Sequence, residues 1–191
     1  MTTQLSHLPD EIKISDDLYL RAKNENSYDE FAKVVVRNID HLSPWMPWAI
    51  NAPDESSIEH YKSAPEKKQD NQEANWDIVF NEKLVGAIGV HKREETGTIL
   101  EIGYWLDKDS TGQGIVTKCV KKVTDVIFNQ TDAKAIEIGC DKQNEKSAAV
   151  AVRSGYNFDR ETGPREHCPQ IEVCLMFILT RDQWSKEPNI S

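Results

Sequence analysis

Glu101-Ile-Gly-Tyr-Trp-Leu106 and, after a short loop, Gly112-Gln-Gly-Ile-Val-Thr117 form the stretch whose reading decides the fold. The first part sits in an alternating strand pattern over 98–106. Ile99, Glu101, Gly103 and Trp105 fall on one face, and Leu100, Ile102, Tyr104 and Leu106 on the other. The second part is a glycine turn opening a helix over about 114–129, with Val116, Cys119, Val120, Val123 and Ile127 on one stripe. A helix start preceded by glycines is a phosphate-binding device. Its first N–H groups point outward, the helix dipole favours negative charge, and glycine lets a ligand approach with no Cβ in the way. The centre of the chain therefore reads as the seat of a phosphorylated cofactor.

Outward from this centre the pattern is that of an α/β chain. Upstream, 14–23 reads as a strand, 27–39 as a helix with Phe31, Val34, Val35 and Ile39 at helical spacing, and 55–71 as a second helix. Between the helices, His41-Leu-Ser-Pro-Trp-Met-Pro-Trp48 has the prolines of a rigid irregular loop. Strands follow at 74–80 and 84–90, joined by a hairpin turn; the second is apolar on both faces, as a central strand is. Downstream, 133–140 is a strand, Asn144 caps a short helix that ends at Gly155, and 171–179 closes the chain as a last strand. Hairpins followed by strand–helix–strand crossovers predict a mixed, mostly antiparallel twisted sheet flanked by helices.

With 191 residues and no repeat or linker, one domain spans the chain, its core over about 12–184. The net charge of −9 argues against a nucleic-acid or bilayer binder and suits an amine or basic peptide as partner. Cys119, Cys140, Cys168 and Cys174 form no C-x-x-C pair and have no histidine cluster, so no metal is expected; Cys119 and Cys140 read as core thiols. The N-terminal sequence has no apolar signal core and no run reaches transmembrane length, which points to the cytoplasm.

Three phosphate-loop designs compete for 112–118. A Walker A loop needs G-x-x-x-x-G-K-[ST], which is absent. A Rossmann fingerprint needs a third glycine where Thr117 stands. The third is the coenzyme A pyrophosphate loop of the GNAT acetyltransferases. The 101–107 strand, the Gly112-Gln-Gly114-Ile turn, Asn144-x-x-Ser147 leading into Arg153-Ser-Gly-Tyr156, Trp45-Met-Pro-Trp48 and Leu179-Thr-Arg-Asp-Gln-Trp184 together resemble that superfamily. More narrowly, they are similar to its branch of bacterial ribosomal-protein serine N-acetyltransferases. The chain departs from the pattern at Thr111, where a long polar residue is usual, at Val116, where a small one is, and at Ala151, which excludes a tyrosine acid there.

The resemblance implies a GNAT-like fold, acetyl-CoA as donor and direct attack by a primary amine within a ternary complex. It places Gly112, Gln113, Gly114, Ile115, Val116 and Thr117 on the cofactor, with Asn144 on the pantetheine arm and a backbone N–H near Leu106 on the thioester carbonyl. It makes Ser147 the proton donor to the departing thiolate and Glu166 the base; Glu101, on the central strand, is a second candidate base and His167, whose ordinary pKa suits proton transfer, a third. Trp45 and Trp48 would wall the acceptor site. The acceptor implied is a protein N-terminal amine; a small amine, or a weakly catalytic acyl-CoA sensor, are the alternatives, and a homodimer is compatible with the branch.

Overall fold

The structure is a computed structural model and describes residues 3–95, 97–164 and 170–186. An eight-stranded sheet runs β1 (Glu11–Lys13), β2 (Leu18–Ala22), β3 (Glu73–Phe80), β4 (Lys83–Lys92), β5 (Ile99–Leu106), β6 (Ala135–Asp141), β8 (Cys174–Thr180) and β7 (Asn157–Thr162) from edge to edge. Every neighbouring pair is antiparallel except β5 and β6. That pair is parallel because α5 (Ile115–Gln130) carries the chain back between them.

Strand alternation divides the apolar residues between two cores. On one face, Trp76, Ile88, Val90, Leu100, Ile102 and Leu106 pack against Cys119, Val120, Val123 and Ile127 of α5, the stripe expected from the sequence. Tyr156, just past α6 (Glu145–Arg153), joins this core and bonds Thr124 at 2.7 Å. On the other face, Ala87 and Trp105 meet Phe31, Val34 and Val35 of α1 (Tyr28–Arg37) and Tyr61 of α3 (Glu55–Lys62). Arg181, opening α7 (Arg181–Trp184), donates to the carbonyls of Phe128, Thr131 and Ala133 and so closes the C-terminal end of α5.

The structure differs from the sequence reading at several ends. The strand expected over 14–23 narrows to β2, and the short β1 precedes that range. The helix expected over 55–71 breaks at Ser63, and α4 (Ala64–Gln69) restarts with Pro65 in its first turn, where a missing N–H costs nothing. The irregular run 41–48 is preceded by one helical turn, α2 (Ile39–Leu42), and followed by a 3-10 turn at Pro47–Ala49. Residues 157–162 form the exposed edge strand β7, and the last strand begins at Cys174 rather than 171. Cys119, Cys140 and Cys174 are buried free thiols; Cys168 lies outside the described residues. Among the described residues, no helix is long and apolar enough to cross a membrane and no group of histidine, cysteine and carboxylate side chains could hold a metal ion.

Candidate active site

The register of β5 and β6 creates the site. Their paired residues run from Ile99↔Ala135 to Glu101↔Glu137, whereas β5 continues to Leu106 and β6 to Asp141. The two strands therefore part, leaving a gap in the sheet at their C-terminal ends. The Asp107 N–H donates to the Val85 carbonyl at 2.6 Å, so odd-numbered residues here point their backbone groups toward β4. By antiparallel alternation, the N–H groups of Tyr104 and Leu106 point the other way, toward the gap. The end of β5 is tied down by Asp107, which accepts from Arg37 and, at 3.0 Å, from Asn38. Burial opposes ionisation of Asp107, but these hydrogen bonds win and hold its carboxyl below the usual range.

On the α5 face of the gap, two helix N-termini flank its mouth. Gly112 and Gly114 have φ of +80° and +72°, the left-handed region that favours glycine, and a Cβ built on either meets nothing within 4 Å. Gly114 is the N-cap of α5 and offers no side chain to the first N–H groups of a helix sixteen residues long. The loop thus fits an anion in shape and in polarity. Ile115 and Val116 are buried with the core, so the bulk of Val116 faces away from the loop and only its backbone can serve a ligand. Gln113 is exposed and Thr117 half-buried at the same mouth. Asn144 caps α6 by accepting from the Ser147 N–H at 3.1 Å. The Ser147 hydroxyl lies 3.1 Å from the Tyr104 hydroxyl, which also bonds the Ser147 carbonyl at 3.2 Å. Burial raises the Tyr104 phenol, so it stays protonated. Burial likewise pushes the adjacent Cys140 thiol up to about 11, against a hydrogen bond with Ser147. Tyr104 was not among the residues singled out from sequence; its place in a strand gave no sign of the contact, which spans 43 positions.

On the opposite face, strand registers lay side chains in rows. One row is Arg21, Asp77, Ala87 and Trp105. The next is Asn75, Gly89 and Gly103, with Lys23 beside Asn75 through a 3.2 Å backbone hydrogen bond. The third is Glu73, His91, Glu101 and Glu137. The middle row is a trough. A Cβ on Gly89 would stand 2.0 Å from the Asn75 Oδ1, so a larger residue there would have to push that amide aside, while a Cβ on Gly103 would meet nothing within 4 Å. Over the trough lies a cavity of about 490 Å³ lined by Phe31, Trp48, His60, Glu73, His91 and Trp105 among others. Its aromatic wall is continuous: Trp48 stacks on Phe31 at 6.3 Å and meets the edge of Trp105 at 6.3 Å, and Phe31 lies 4.4 Å from Tyr61. Trp48 is 40% exposed and lines the cavity; Trp45 is half-buried and lies outside its lining. A larger hollow of about 640 Å³ lies beyond Lys23 and Asn75, away from the gap.

The first row anchors the wall. Asp77 is fully buried and accepts from the Tyr61 hydroxyl at 2.9 Å and from Arg21 at 3.4 Å. Lys23 Nζ lies 5.4 Å and 5.1 Å from the Phe31 and Tyr61 ring centres; burial lowers its pKa against the pull of Asp77. In the third row Glu101 is buried and pairs with Arg93 at 3.2 Å and His91 at 3.7 Å, while Glu137 pairs with Arg93 at 3.6 Å and Arg160 at 2.8 Å. Glu101 is thus on the cleft side of the sheet but enclosed by partners, whereas Ser147 stands on the other side of the gap. Glu166 and His167 lie outside the described residues.

The chain resembles known proteins in sequence and in overall fold. Residues 17–157, well over half of the chain, match the family model of the acetyltransferase (GNAT) domain. The chain belongs to the GNAT acetyltransferase family. It is 27% identical over 146 residues to the ribosomal-protein-serine acetyltransferase of Escherichia coli (strain K12), covering 76% of this chain and 82% of that protein. Its fold matches RimL, a ribosomal L7/L12 α-N-protein acetyltransferase in complex with coenzyme A, with a TM-score of 0.83 at 22% identity over 91% of this chain and 99% of that one. It also matches the microcin C7 self-immunity acetyltransferase MccE in complex with acetyl-CoA and AMP, with a TM-score of 0.83 at 21% identity over 92% and 99%. As a GNAT family member the chain is an N-acetyltransferase with the α/β fold expected from its sequence.

Proposed function

We propose that this GNAT protein moves an acetyl group from acetyl-CoA to the N-terminal α-amine of a protein, by direct attack within a ternary complex. The observation that carries this reading is the gap between β5 and β6, open to the glycine loop on one face and to the aromatic trough on the other. Donor and acceptor reach one point from opposite sides, so neither must leave for the other to bind. The exposed, Cβ-free N-terminus of α5 supports a pyrophosphate contact through Gly112, Gln113, Gly114 and the backbone of Ile115, Val116 and Thr117. Asn144 is assigned to the pantetheine arm, and the Leu106 N–H to the thioester oxygen, whose developing charge it would stabilise.

The paired hydroxyls of Ser147 and Tyr104 are the donors to the sulfur as the C–S bond breaks. A hydroxyl that never ionises in the working pH range can always donate. Proton removal from the amine is assigned to the cleft face, where Glu101 lies; Glu166 remains the alternative base that the family resemblance suggests. Trp48, on the cavity wall, is assigned to cover the acceptor.

The ribosomal-protein acceptor is supported by the named activity of the E. coli relative. A small amine is the second reading, favoured by the size of the cleft: 490 Å³ holds one or two residues or a small molecule. Thiol release from acetyl-CoA, measured against serine-, alanine- and methionine-initiated peptides beside spermidine, aminoglycosides and free amino acids, decides between them. Peptide-dependent release is expected. Release with small amines alone would replace this acceptor, and CoA binding with no release from any acceptor would leave a sensor.

A further inference from the structure

We infer that Lys23 and Asn75 form a carboxylate-binding subsite for the acceptor, so that the enzyme prefers a peptide with an acidic group a few residues behind its reacting amine. The inference deepens the reading of the chain as an amine acetyltransferase and rests on it. Lys23 is only 9% exposed, yet its ammonium makes no hydrogen bond or ion pair among the described residues. It lies over the rings of Phe31 and Tyr61 instead. The carboxylates that act on it do so through space: Asp77 accepts from Tyr61 and Arg21, and Glu73 pairs with Lys67. Ala22 pairs with Trp76, so Lys23 stands opposite Asn75 with its side chain on the same face. The Asn75 Nδ2 is buried and also has no hydrogen-bond partner among the described residues. Ring contacts offset part of the desolvation of an ammonium but satisfy none of its N–H donors. Two unpartnered donors on one face, one of them cationic, are completed by the two oxygens of a carboxylate. Burial lowers the Lys23 pKa, and an arriving carboxylate would draw it back toward the charged form.

The pair is placed for a peptide. Both residues line the cavity over the trough and the larger hollow beyond it. A chain laid across Gly103 and Gly89 meets them and can leave through that hollow. Phe31 bounds the distance. Its ring centre lies 5.4 Å from the Lys23 Nζ and 5.8 Å from the Trp105 ring centre, so the ammonium is within the sum of the two from the indole that precedes Leu106. With about 3.3 Å per extended residue, and the reacting amine beyond that indole, the carboxylate belongs about three to five residues behind the amine. Lys23 and Gly103 are three strand spacings apart, about 14 Å, farther than a lysine side chain and a free amino acid reach together. The carboxylate is therefore an acidic side chain near a protein N-terminus or the C-terminus of a short peptide.

The test is a set of serine-initiated peptides of equal length, with Asp moved through the second to seventh positions, Asn in the same places as control, and the C-terminus free or amidated. Wild type should give a kcat/KM about tenfold higher for Asp than for Asn at one or two neighbouring positions, mostly through KM. Lys23→Met should remove that preference and leave the Asn peptides within about twofold, with CoA affinity unchanged; Asn75→Ala should weaken the preference about threefold. Because Lys23→Met takes an unpaired ammonium out of the interior, its melting temperature should equal or exceed that of wild type. A merely structural Lys23 would lower it and weaken every acceptor alike, which overturns the inference. So does a wild type indifferent to Asp at every position, or a preference that survives Lys23→Met. A preference that follows only a free C-terminus, and is lost in Lys23→Met, keeps the subsite and makes its ligand that terminal carboxylate. Calorimetry of the same peptides with CoA in place of acetyl-CoA makes the comparison without turnover. A Lys23-dependent preference in binding, with no amine acetylated, would overturn the transferase reading and keep the subsite.

Discussion

The two faces of the sheet solve different problems with different materials. The α5 face is made of backbone: two positive-φ glycines, a helix start without a capping side chain, and strand N–H groups at the gap. The opposite face is made of side chains: an aromatic wall, a trough of paired glycines and a row of charges. Phosphate and thioester are the same in every turnover, and backbone geometry suffices to hold them. The acceptor is what distinguishes one member of the family from another, so its face carries the variable chemistry. Changes on one face should therefore move one substrate and spare the other.

Gly103→Leu tests this most severely. The added side chain has room at its Cβ but fills the trough, so kcat/KM for the acceptor should fall about 100-fold, or about 2.7 kcal/mol. CoA affinity, read by calorimetry, should stay within twofold; an equal loss of CoA binding would break the division between faces. Gly114→Val is the converse. A β-branched residue at φ of +72° is strained by about 1–2 kcal/mol and puts methyl groups at the helix mouth, so CoA should bind about tenfold more weakly. Acceptor KM at saturating acetyl-CoA should not follow. Trp48→Ala removes a half-exposed ring from the wall, and a rise of about threefold to tenfold in acceptor KM with little change in kcat is expected.

The smallest effect concerns the joint between the faces. Asp107 has its folded pKa lowered by Arg37 and Asn38, so it stabilises the fold above its unfolded value of about 3.9 and loses this as pH falls through the folded value. Asp107→Asn should lower the urea midpoint by the equivalent of about 1–2 kcal/mol at pH 7, with the difference from wild type shrinking below pH 4. A difference that persists at low pH would show that the carboxylate charge is not what holds β5 to α1.

Much of the α5 face was legible in sequence because its signals are local. Strand alternation, a glycine turn and a helix stripe lie within thirty residues, and Asn144 caps the helix it precedes. The Cys119 and Val123 stripe falls on the core for the same reason: helical period alone fixes which residues share a side. The opposite face was legible only in outline. Trp48 was visible as an unusual aromatic, but nothing local separates it from Trp45, and only packing on Phe31 and Trp105 does so. The single helix expected over 55–71 failed because polar periodicity persisted across Pro65, whose missing N–H then forced a new start.

The amino-acid sequence by itself determined the order of strands and helices, the glycine turn that opens α5 and the membership in a family, because each depends on neighbours in the chain. Tertiary structure alone decided which residues meet. It set His91 against Glu101 through the antiparallel register of β4 and β5, and Tyr104 against Ser147 across the gap. It also enclosed Glu101 between Arg93 and His91 on the cleft side of the sheet. Register and face are long-range properties: a shift of one residue in a strand would send all of that strand's side chains to the other side of the sheet.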